Sequence, residues 1–162
     1  MTSRPGLKLR LPPRVKVLEA AGAIGGGRVN IIEAGRVYKA LVASSGRPLK
    51  YRVAVAPEQG YIRVYSDDNG TVHRGYIGYP IISVMMLMGI LPRDSEVEKA
   101  LADVNWYEVN RRLGKYSLVM EEVLGGLPPG VRVRAEMLVN RVMARLRGVK
   151  AVYDPALEFQ AP

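Results

Sequence analysis

Apolar and polar positions alternate with a period of two through the first half of the chain, then with a helical period through the second. Residues 28–32, 36–43, 50–56, 61–66 and 71–77 are rich in Val, Ile and Tyr. Glu33-Ala34-Gly35, Ser44-Ser45-Gly46, Pro57-Glu58-Gln59-Gly60 and Asp67-Asp68-Asn69-Gly70 separate them, and each cluster is turn chemistry. Asn69-Gly70 is a strong hairpin signal, because both residues tolerate positive φ. Links this short predict consecutive antiparallel strands.

The stretch that begins at Tyr79 and ends at Leu91 is apolar all round, interrupted by Ser83 and Gly89. A helix of that kind lies at the centre of a core or is shared with a partner chain. Met85, Met86 and Met88 suit irregular packing or an adaptable surface. Ser95 with Glu98 predicts a capping box at a helix start. Short helices are expected over 106–113 and 116–124. Residues 131–147 carry the clearest helical pattern. Val131, Ala135, Leu138, Val139, Val142 and Leu146 share one arc at about 100° per residue. Gly148 ends that helix, and 149–153 read as a returning strand. An earlier helix runs from Pro13 to about Ala23 and stops at the glycines that follow.

The expected architecture is α+β: an antiparallel β-meander of four to five strands packed against C-terminal helices. Residues 14–153 form a single domain. Residues 1–13 form a flexible basic arm, broken by Pro5, Gly6, Pro12 and Pro13, and 154–162 form a loose tail.

Composition narrows the chemistry. The 162 residues include no cysteine, so disulfides, thiolate metal sites and cysteine nucleophiles are excluded. One histidine, His73, is too few for a histidine-based zinc site. The glycines at 25–27 lead into a strand without a following Lys-Ser/Thr, so they make no phosphate loop. Asp67 and Asp68 could hold Mg²⁺, but at the start of a turn they read as caps. No metal and no cofactor is expected. The apolar run after Pro80 is shorter than the about 20 residues of a spanning helix. With no signal-like leader, the expected location is the cytoplasm and no membrane partner is expected.

Charge changes the picture most. Net charge is +9, with 17 arginines against 7 lysines and only seven Asn and Gln. Many charges and few thermolabile side chains point to a thermophilic source. In composition the chain resembles small basic proteins of thermophilic archaea. Residues 1–18 carry +5, from Arg4, Lys8, Arg10, Arg14 and Lys16, and residues 129–150 carry another +5, while 92–128 are net acidic. Arg134, Arg141 and Arg145 align along one edge of the last helix, a row suited to a phosphate backbone.

Strand alternation supplies a second candidate surface. It places Tyr51, Val53, Val55, Ile62 and Val64 toward the helices. Lys50, Arg52, Tyr61, Arg63 and Tyr65 take the other face. Arginine interleaved with tyrosine stacks bases and neutralises phosphates. The expected function is non-catalytic nucleic-acid binding, RNA more than DNA. One alternative is a structural subunit or homo-oligomer held through the Met-rich helix. A second is a metal-independent RNase in which His73 works with Tyr76 or Tyr65 and an arginine.

Overall fold

The computed structural model describes residues 3–161. Its sheet has five strands: β1 (Val29–Glu33), β2 (Tyr38–Ala43), β3 (Lys50–Pro57), β4 (Ile62–Ser66) and β5 (Ala151–Tyr153). The first four form the expected antiparallel meander, and β5 returns parallel to β4. Register pairs Ala40 with Val53 and Val55 with Val64, which gathers small and β-branched side chains on one buried face.

That face packs on α2 (Tyr79–Leu87), and α1 (Val15–Gly25) packs on α2 in turn. Ile81, Ile82, Val84, Met85 and Met86 of α2 are buried. The apolar helix is therefore enclosed by its own chain, between sheet and α1. This is the first of the two placements its sequence allows, the centre of a core. The helix also stops short of Leu91, since Gly89 turns the chain through a left-handed conformation at φ +80°.

Four helices follow: α3 (Ser95–Ala100), α4 (Trp106–Leu113), α5 (Tyr116–Gly125) and α6 (Pro129–Arg147). α6 buries Ala135, Leu138, Val139, Val142, Met143 and Leu146, nearly the expected stripe. The cap of α3 is Asp94 rather than Ser95. Its carboxylate accepts from the backbone N–H groups of Glu96 and Val97. Glu98 is instead held by Arg93 in a two-pronged pair, each bond 3.0 Å.

The fifth predicted strand does not form. Gly70–Arg74 make a turn of π-helix, and Asn69 is right-handed at φ −60°. The cause is the buried Asp68 carboxylate. It accepts from Ser66 Oγ at 2.5 Å, Thr71 N at 3.1 Å and Thr71 Oγ1 at 2.8 Å. These bonds draw the chain back on itself where a hairpin would extend it. Gly70 lies against the Tyr76 ring, so a side chain there would strike it.

Both chain ends differ from the loose segments expected. Lys8 bridges Val152, Arg10 bridges Tyr76, and Leu9 is only 4% exposed. Leucine at 7 and 9 alternates with Lys8 and Arg10, so an extended leader buries one side and shows its cations on the other. In the tail, Asp154 N donates to Val64 O at 2.8 Å, and the Lys39 ammonium sits 5.6 Å from the Phe159 ring centre. No helix among the described residues is long and apolar enough to cross a membrane.

A Cβ at Gly25 would run into the backbone carbonyl of Glu98, so α1 and α3 would have to part. Gly25→Ala should cost about 1–3 kcal/mol in urea denaturation. Gly130→Ala, with open space around it in α6, should change little. Equal stability for Gly25→Ala and the parent would contradict this packing.

Candidate functional site: an aromatic cavity with a basic rim

Where the meander ends, α1, the β2–β3 turn, the π-turn, α4 and the start of α5 leave a cavity of about 260 Å³. Tyr51, Tyr76, Tyr79, Trp106, Tyr107 and Tyr116 supply its aromatic walls. Tyr51 belongs to the sheet face that carries Val53 and Val55, but it stands at the end of that face and meets Tyr79 edge-on at 6.2 Å. Trp106 is positioned by the turn between β2 and β3: its backbone N–H donates to Ser45 Oγ at 2.8 Å. Asn110, one turn on, donates to Trp106 O at 2.8 Å.

The cavity holds two buried carboxylates. Glu19, the one acid of α1, is 3% exposed. Lys16 Nζ lies 2.7 Å from Glu19 Oε2, as an ion pair without hydrogen-bond alignment. Burial pushes the Glu19 carboxyl above its usual range, and the Lys16 charge only partly offsets this. Burial raises Asp68 too, against the bonds from Ser66 and Thr71. The hydroxyls of Tyr76 and Tyr116 lie 3.1 Å apart. Burial, then that contact, holds the Tyr76 hydroxyl far above the ordinary phenol range.

Some polar capacity goes unused. Among the described residues the Trp106 indole N–H has no partner, although it is buried. Arg28 Nη1 donates to Ala43 O at 2.7 Å, but its Nη2 has none. Each buried group left unpaired costs about 1–3 kcal/mol.

The mouth of the cavity is cationic. Arg47 lies over the Tyr107 ring at 4.5 Å and donates to Tyr51 Oη at 3.2 Å. Arg74 borders both this cavity and a neighbouring hollow that contains Arg10 and His73. Arg10 donates to the Arg74 carbonyl. A further hollow joins Lys8 and Arg10 to Arg147, at the end of α6. Among the described residues Lys8, Arg10, Arg47, Arg74 and Arg147 pair with no carboxylate.

The other expected binding residues are placed differently. On the sheet, Arg52 bonds Asp67 at 3.0 Å and the Phe159 carbonyl at 3.0 Å, and Arg63 bonds Asp154 at 2.9 Å. Tyr65 is buried, its ring 6.1 Å from that of Tyr153, with its hydroxyl pushed up to about 12 mainly by burial. Tyr61, at 39% exposure, and Lys50 remain open. The tail thus pairs with the two arginines of this face. On α6, Arg134 pairs with Asp94 at 3.0 Å and Arg145 donates to Ile90 O at 3.3 Å. Arg141 is exposed beside Arg134 and Asp94. That row points to the 90–94 segment and does not meet the leader. Arg14 donates to Asn140 Oδ1 at 2.5 Å, Lys16 turns inward to Glu19, and Arg4 stays exposed.

Fold and site together define a small α+β protein with an open polar-aromatic cavity beside cations that lack carboxylate partners. No group of three or more metal-ligating side chains occurs among the described residues. The chain belongs to the family described as Uncharacterised conserved protein UCP014422, whose model matches residues 9–152. No curated protein and no solved structure matches it.

A carboxyl whose folded-state pKa is raised stabilises the fold at low pH, and that contribution is lost as pH rises through the folded value. Glutamine at position 19 would not titrate. As pH climbs past the ordinary carboxylate range, Glu19→Gln should gain stability relative to the parent, read as the difference in urea midpoints. A difference that stays flat with pH would contradict the burial of this carboxyl.

Proposed function

We propose that the protein binds single-stranded nucleic acid, RNA in preference to DNA, through the rim formed by Lys8, Arg10, Arg47, Arg74 and Arg147. One observation carries the reading. These five cations line adjoining hollows and lack carboxylate partners, while Arg52, Arg63 and Arg134 are neutralised within the fold. Cations gathered on adjoining hollows repel one another unless an anion lies between them, and a phosphate backbone supplies such anions. The aromatic cavity beside the rim favours a strand whose bases are unstacked, the usual target of sequence-reading RNA-binding proteins.

A second reading has one observation in its favour. His73 is exposed in the hollow that also holds Arg10, Arg74 and Tyr76. A general base beside two cations can cleave RNA without metal. Tyr76 is a poor acid there, because burial strengthens its hold on the proton. His73→Ala should then abolish cleavage of labelled RNA, and activity that survives it would dismiss this reading.

If all five rim cations contact phosphates, log K for single-stranded RNA should fall with log salt at a slope near −3.5, from about 0.7 per phosphate. Arg10→Gln, Arg47→Gln and Arg74→Gln should each flatten it by about 0.7–1. Arg134→Gln should leave the slope alone. Absence of binding at low salt would remove the proposal, and a slope moved by Arg134 but not by Arg74 would misplace it.

A further inference from the structure

The face formed by α5 and α6 lies apart from the cationic rim, and none of the five rim cations lines it. Between the two helices runs an open groove of about 540 Å³, with Val15, Met120 and Leu124 as its apolar floor. Glu121 stands on its α5 lip, and Glu136 and Asn140 form its α6 lip. Beside that lip α6 raises an apolar ridge, with Val133 at 55% and Met137 at 45% exposure. These two lie one turn apart and within about 40° of each other around the helix. On the far side of the ridge, Met137 borders a second hollow with Arg134 and Arg141. The order across the face is therefore anion, apolar groove, apolar ridge, cation.

Single exposed apolar side chains are ordinary, but a ridge beside a groove of like chemistry is complementary to itself. A second copy, rotated by half a turn about an axis along α6, sets each ridge over the other's groove. The same rotation faces each Arg141 with the other copy's Glu121. Among the described residues neither Arg141 nor Glu121 makes an ion pair within its own chain. Their neighbours are engaged: Arg134 with Asp94, Arg132 with Glu136, and Arg14 with Asn140 Oδ1. Each copy thus brings an unpaired anion and an unpaired cation on opposite sides of an apolar centre. We infer that the protein forms a symmetric dimer through the α5–α6 face, with Met137 of each copy seated in the groove of the other and Arg141 paired with Glu121 across the interface. An apolar centre with charges at its edge is the usual anatomy of such an interface. A foreign acidic helix would satisfy Arg141 and leave Glu121 facing a like charge, whereas a second copy satisfies both.

Sedimentation velocity on the full chain tests this, after a high-salt wash to remove any nucleic acid that would itself bridge two copies. The parent should pass from monomer to dimer as its concentration rises through the micromolar range. Met137→Glu should weaken association about thirtyfold or more, with the circular dichroism unchanged. Arg141→Glu and Glu121→Arg should each weaken it about tenfold. The two together should restore it, because the pair forms again with its signs exchanged. A fold defect would not be repaired in that way, so the charge exchange decides the matter should Met137→Glu prove unstable. A parent that stays monomeric at every concentration, a dimer untouched by Met137→Glu, or a double variant no better than its singles overturns the inference. Assemblies that grow beyond two copies also overturn it, since this symmetry closes at the dimer.

Discussion

The buried carboxylate of Asp68 decides how the sheet ends. By taking donors from Ser66 and from Thr71 twice, it turns the chain immediately after β4. The Thr71 hydroxyl in turn accepts from Gly78 N at 3.2 Å, which fixes the start of α2. Gly78 lies so close to the Asp68 carboxylate that any side chain would displace it. This compact knot replaces a fifth meander strand. The cavity opens beside Tyr76 and Tyr79. The core helix, the π-turn and the cavity therefore depend on one side chain, buried with its lone pairs engaged.

The same fold divides the cations into two groups. Arg52, Arg63, Arg93, Arg112 and Arg134 are held in ion pairs, and pairs this exposed contribute little to stability. Those on the leader, the π-turn, the β2–β3 turn and the end of α6 remain without carboxylates. The partition is topological. The leader joins the edge of the sheet by backbone pairing, which exposes Lys8 and Arg10 on the side that bears Arg74 and Arg147.

Much of the fold was legible in the sequence, because it rests on local signals. Alternation and short turns gave the meander of β1 to β4, and the α6 stripe gave its buried face. The π-turn was not legible. Asn69-Gly70 is a hairpin signal by local propensity, and only the burial of Asp68 overrides it. The ion pairs of the surface arginines were not legible for a related reason. Charge and alternation showed that Arg52, Arg63 and Arg134 share faces, but not that Asp154, Glu158 and Asp94 would come from distant segments to meet them. The cavity combines residues from six parts of the chain. Its one sequence trace is Glu19, a lone acid among the alanines and valines of α1, beside an unusual density of tyrosine after position 50.

The central claim is that the strand runs over the rim and meets the aromatic mouth rather than the sheet. Ultraviolet cross-linking of bound single-stranded RNA, followed by mapping of the adducts by mass spectrometry, tests this most directly. Adducts are expected on Tyr76, Trp106, Tyr107 or Tyr116. Adducts confined to Tyr61 or to α6 would contradict it.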